Sequence, residues 1–145
     1  MLSKLLSAVT QIVIFNAVII GITAVSILAI GEEPSVKKLA LIFLSYFILQ
    51  LELAFICFAL SAFMKKKAMG LGIGLSLGLY FVNIVSNITE EAEFLKFVTP
   101  YSYTETAYIM ENESLEVKFL LIGAAVAAVC LFAAFKKYTS KDIAN

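Results

Sequence analysis

Histidine and arginine are absent from this 145-residue chain, and cysteine and proline occur twice each. Without histidine, and with Cys57 and Cys130 far from any acidic cluster, no residues stand at metal-ligand spacing, so a zinc or transition-metal site is not expected. No nucleophile and base can be assembled into a catalytic pair, which argues against chemistry by the chain itself. The lysines lack the clustering, and the chain lacks the arginine, of a nucleic-acid surface. Both cysteines fall inside long apolar runs, where a thiol is a small buried group and no disulfide framework is indicated. Charge is scarce as well: 15% of residues, against about 25% in soluble domains. Apolar residues reach 61% where a soluble domain carries about 45–50%, too many for a water-facing surface.

The apolar residues are gathered into four runs, about 5–30, 39–63, 68–88 and 117–135. Crossing a hydrocarbon core about 30 Å thick takes roughly 20 helical residues. Barrel strands would alternate apolar and polar residues, and these runs do not, so helices are the remaining way to satisfy the backbone in lipid. The expected fold is all-α: a polytopic membrane protein forming one transmembrane domain over 1–145. Its net charge is zero, but unevenly laid out. Lys4, Lys65, Lys66, Lys67, Lys136, Lys137 and Lys141 face one acid, Asp142, at the ends and in the second loop. The third loop, 89–116, holds Glu90, Glu91, Glu93, Glu105, Glu111, Glu113 and Glu116 against Lys96. Lysines near span ends set orientation, which predicts cytoplasmic termini and an extracellular acidic loop. Lys37 and Lys38 in the first loop oppose that assignment and are outvoted. A cleaved signal peptide is disfavoured, since the first run is longer than an h-region and lacks a clean small-residue cleavage site.

Polar residues inside the runs are the candidate functional positions. Asn16 lies in the first, and Gln50 and Glu52 near the middle of the second. A carboxylate at that depth costs at least about 2.5–3.5 kcal/mol unless protonated or paired, so Glu52 is either a pathway group or a glutamate packed against a neighbouring helix. In the third run Gly70, Gly74 and Gly78 stand four apart on one helix face, a pattern for close helix packing. It is not a phosphate loop, because no Lys-Ser/Thr follows. Tyr80 and Asn83 follow towards its outer end. Within the third loop, the apolar residues among acids over 90–98 predict a short amphipathic helix, which Thr99-Pro100 ends. Ser102-Tyr-Thr-Glu105 has capping-box spacing and predicts a second helix carrying Tyr108, Ile109 and Met110. Gly123, Ala124, Ala125, Ala127, Ala128, Ala133 and Ala134 make the fourth run rich in small residues, which suits tight helix packing.

Three stretches together resemble one family. Leu2-Ser-Lys-Leu-Leu6, Leu60-Ser-Ala-Phe-Met-Lys-Lys-Lys67 leading into the glycine-rich residues 70–83, and Phe94-Leu-Lys-Phe-Val-Thr-Pro-Tyr-Ser-Tyr103 are similar to the C-terminal four-span portion of permease subunits from type-2 ABC exporters, found mainly in bacteria. The closing residues 136–143 fit as well. The resemblance implies a multi-pass subunit of the bacterial cytoplasmic membrane that moves substrate when a separate ATP-binding cassette ATPase, holding ATP and Mg, hydrolyses nucleotide. No cofactor is then expected in this chain. It also implies re-entrant helices in the extracellular loop, with Phe94, Phe97, Pro100, Tyr101 and Tyr103 as gate residues. Such permeases usually have six spans, so a second permease chain or the missing N-terminal half is an expected partner beside the lipid bilayer. Two alternatives stay open: a small proton-coupled exporter using Glu52, and a non-transporting immunity or assembly protein of the membrane.

Overall fold

The structure, a computed structural model, describes residues 2–31, 33, 35–64, 68–88 and 90–142. Pro34, Lys65, Lys66, Lys67 and Thr89, which bore on loop boundaries and orientation above, lie outside the described residues. The chain is all-helical: α1 (Leu2–Ile30), α2 (Val36–Phe63), α3 (Ala68–Ile88), two 3-10 helices η1 (Glu90–Phe97) and η2 (Pro100–Thr104), then α4 (Thr106–Asn112) and α5 (Val117–Asp142). Four of these are long and apolar enough to cross a membrane, over Ser3–Ile30, Val36–Phe63, Gly70–Ile88 and Val117–Thr139. The protein is therefore a polytopic, membrane-embedded helical protein.

Local chemistry accounts for the helix ends. Gly31 closes α1 in the left-handed region, with φ 73° and its N–H donating to the Ile27 carbonyl at 3.1 Å. That is the conformation glycine adopts without a Cβ penalty. Serines and threonines inside the spans return their hydroxyls to carbonyls three or four residues earlier, as Ser45 does to Ile42 and Ser26 to Ile22. Such bonds keep these hydroxyls satisfied away from water. Three helices outrun the sequence expectation, the first by starting at Leu2 rather than near 5. The second begins at Val36 rather than near 39, and the fourth continues to Asp142 rather than ending near 135. Past Phe135 neither glycine nor proline interrupts that helix, and lysine is a good helix former.

The second helix is the hub, packing against α1, α3, α4, η2 and, most extensively, α5. Small residues permit that last approach. Ala59, Ala62 and Ala134 are buried between the two helices, flanked by Phe58, Cys130 and Tyr138. Phe58 and Tyr138 stack with ring centroids 5.8 Å apart. Gly123, Ala127, Cys130 and Ala134 recur at helical spacing, so part of the alanine-rich face meets α2. A polar contact secures α1, where Asn16 Nδ2 donates to Gln50 Oε1 at 2.7 Å. Both thiols are free.

The α3–α5 connection differs in detail from expectation. Residues 90–97 wind as a 3-10 helix rather than an α-helix. Pro100 starts η2 at its first turn, beyond a Thr99 cap whose hydroxyl accepts from Tyr101 N–H. Proline suits that position because its missing N–H has no helical partner anyway. The expected capping box at Ser102 does not form. Ser102 lies inside η2, where its hydroxyl donates to the Lys96 carbonyl at 2.7 Å. The second short helix does form and carries Tyr108, Ile109 and Met110, but Glu105 stands at its N-cap without a side-chain hydrogen bond.

Candidate functional site

The segment from Thr99 to Tyr103 dips into the bundle. Thr99 Oγ1 donates to the Leu79 carbonyl at 2.9 Å, and Tyr101 Oη donates to the Ser76 carbonyl at 3.4 Å. Ser76 is twelve residues from the Ile88 end of α3, about 18 Å along its axis at 1.5 Å per residue. Tyr103 reaches just as deep, donating from Oη to Glu52 Oε2 at 2.7 Å. Glu52 is sixteen residues past the start of α2, about 24 Å along that helix. The start of α2 lies at the connection's own end of the bundle, since Lys38 Nζ donates to the Met110 carbonyl there at 2.8 Å. The connection is re-entrant: it leaves α3, turns down between α2, α3 and α5, and climbs back through α4.

Glu52 is the buried charge-bearing group at the foot of this insertion, 4% exposed, and Tyr103 is 2% exposed. Gly123 makes room for the carboxylate. A Cβ at that position would stand 2.5 Å from Oε2 and 3.1 Å from Oε1. Above and beside the carboxylate is a cavity of about 180 Å³, walled by Ile56, Leu79, Phe97, Pro100, Phe119 and Val126 among others. Phe97 meets Phe119 edge to face at 5.2 Å on this wall. On its other side Glu52 borders a groove of about 310 Å³ between α2 and α5, which also shares Gly123. The carboxylate therefore stands where a partly open cavity and a helix–helix groove adjoin.

The sequence-selected residues divide clearly. Pro100, Tyr101 and Tyr103 come together in η2, and Phe97 joins them at the cavity wall. Phe94 does not, at 65% exposure. Gln50 pairs with Asn16 on the α1 side and takes no part in the Glu52 site. Asn83 carries a buried amide oxygen without a hydrogen-bond partner. Nothing lies within 4 Å of a Cβ built on Gly70, Gly74 or Gly78, so that face packs on no other described element of the chain. The close approach of α3 to α2 runs instead through Gly72, where a Cβ would stand 3.1 Å from Cys57 Sγ. No protein family, curated protein or solved structure matches this chain.

Sequence reasoning missed three features. Gly123 was one of many small residues in its helix, and its role depends on Glu52 facing it. Lys37 and Lys38 counted only as topology signals. In the fold they hold Glu113, at 3.1 Å and 3.6 Å, and so tie the start of α2 to the end of α4. Burial of the hydroxyls of Thr99 and Ser102 was equally hidden, although a threonine before proline and a serine two residues on are residues that commonly cap turns.

Proposed function

We propose that this chain is a membrane-spanning subunit of an ATP-driven exporter in a bacterial cytoplasmic membrane. A separate ATP-binding cassette ATPase would bind ATP and Mg and supply the motion. A second permease chain, or a preceding half, would complete the pathway. One observation carries the reading: the connection before the last span re-enters the bundle, in the stretch whose sequence resembles the closing segment of type-2 exporter permeases. Phe97, Pro100, Tyr101 and Tyr103 would form the closure and Phe94 would lie outside it. Both termini would be cytoplasmic and the re-entrant connection would open outward. A two-state mechanism follows, in which nucleotide binding by the partner favours the state with the segment withdrawn.

The test starts from the tagged chain extracted from its native membranes with mild detergent and exchanged into nanodiscs. A partner photolabelled by azido-ATP is expected, with vanadate-sensitive ATP hydrolysis. The Phe97→Ala/Pro100→Ala double variant should change the hydrolysis rate at least severalfold while the complex stays assembled. Correctly inserted chain with no nucleotide-binding partner overturns the reading. The proton-coupled alternative draws support from Glu52 bordering both a cavity and a groove. It requires uptake driven by a pH gradient in vesicles holding this chain alone, abolished by Glu52→Gln.

A further inference from the structure

We infer that the cavity under the re-entrant segment is a binding site for a small amine with an apolar body, held by Glu52. This concerns binding alone and does not rest on the ATP-driven reading. Size comes first. An apolar cavity of about 150 Å³ admits benzene, and this one measures about 180 Å³, so one ring with a short charged arm fills it. The walls set the second requirement. Ile56, Leu79, Pro100 and Val126 are apolar, and the Phe97–Phe119 pair offers an aromatic edge and face. The floor sets the third. Glu52 presents a buried carboxylate with Oε2 already accepting from the neutral Tyr103 hydroxyl. A neutral donor leaves an ionised Glu52 uncompensated, and a carboxylate buried this deeply is favourable only when protonated or beside a counter-charge. An ammonium delivered on an apolar body would supply it.

Gly123 adds a structural reason. Its missing side chain leaves the carboxylate adjoining the α2–α5 groove as well as the cavity. An amine dissolved in the surrounding apolar phase thus has a route along that groove to the same group. The wall also includes Lys96, carried on η1, whose carbonyl accepts from Ser102. Its ammonium is the internal competitor for Glu52, and the experiment separates the two.

The probes are 4-fluorobenzylamine, 4-fluorotoluene and 4-fluorophenylacetate, titrated by fluorine NMR against the chain in phosphatidylcholine nanodiscs. Empty nanodiscs give the background for partitioning into lipid. The amine is expected to bind at least tenfold more tightly than 4-fluorotoluene, and the acid not above background. Glu52→Gln keeps an acceptor for Tyr103 and the cavity's shape, and should bring the amine level with 4-fluorotoluene. Lys96→Gln should preserve or strengthen the preference for the amine. Equal binding of amine and toluene by the unaltered chain overturns the inference. So does a preference that survives Glu52→Gln, one lost in Lys96→Gln, or binding of no probe above background.

Discussion

Tyr103 and Gly123 act on Glu52 from opposite sides, and their substitutions separate a hydrogen bond from a steric fit. Tyr103→Phe keeps the ring but removes the donor to Oε2. The net worth of such a bond between helices in a bilayer is about 0.6–1.7 kcal/mol, and a loss of about 1 kcal/mol is expected for unfolding in mixed micelles. Gly123→Ala introduces a Cβ 2.5 Å from Oε2, so the carboxylate must move, and with it Tyr103. The loss should exceed that of Tyr103→Phe. Gly74→Ala supplies the contrast. Nothing lies within 4 Å of its Cβ, and alanine is the better helix former by about 1 kcal/mol, so the monomer should be as stable as before or more so. A large destabilisation at Gly74 would show that its face is packed in the isolated chain. Glycine spacing alone pointed to residues 70, 74 and 78 as the packing face; the contacts instead involve 72 and 123, because packing depends on what stands opposite.

Among the elements, the four spans were legible from composition because lipid leaves a chain few options. The connection was legible only in outline. Its apolar residues among glutamates marked short helices, but whether they lie on the membrane surface or turn into the bundle is set by tertiary partners. Tyr101 and Tyr103 needed the Ser76 carbonyl and Glu52, far away in sequence, to draw them inward. The outer limb of the same connection ends at Glu113, a non-glycine residue held at φ 49°. Left-handed backbone is uncommon for such a residue, and the bridges to Lys37 and Lys38 fix it. Lys37 in particular, with Lys38, holds the Glu113 carboxyl below the usual glutamate range. The sign follows from linkage. A depressed folded-state pKa stabilises the closed limb above the ordinary glutamate pKa, and that contribution fades as pH falls through the folded value. Hydrogen-exchange protection of residues 106–112 should therefore fall in acid, and also in about 0.5 M salt, where screening is short-ranged. Glu113→Gln should show low protection at neutral pH and little further change with acid. Unaltered protection in that variant would mean that α4 is held without the Glu113 bridges, by Ile109 burial and the Lys38–Met110 hydrogen bond.

At the scale of the molecule, the lysine pattern and the fold bear on the same question of sidedness. Lys37 and Lys38 lie at the end of the bundle that also holds Glu105, Glu111 and Glu113, against the rule that lysines gather in the cytoplasm. Their bridges to Glu113 and the Met110 carbonyl give them a local electrostatic reason to be there. They therefore need not count as orientation signals, and Lys4, Lys136 and Lys137 stand at the opposite end. The three spans between residue 4 and the 90–112 connection put the two on opposite faces of the membrane. Single cysteines at Lys4 and Phe94, in a chain with Cys57→Ser and Cys130→Ala, turn this into a measurement. Phe94 is well exposed, so a cysteine there is reachable without unfolding the re-entrant segment. An impermeant maleimide applied to intact cells should label position 94 and spare position 4, and permeabilisation should expose both. Labelling of both positions in intact cells would require an even number of crossings between them. One apolar helix would then have to lie along the membrane, and α1, which packs chiefly on α2 through the Asn16–Gln50 contact, is the helix least constrained against doing so.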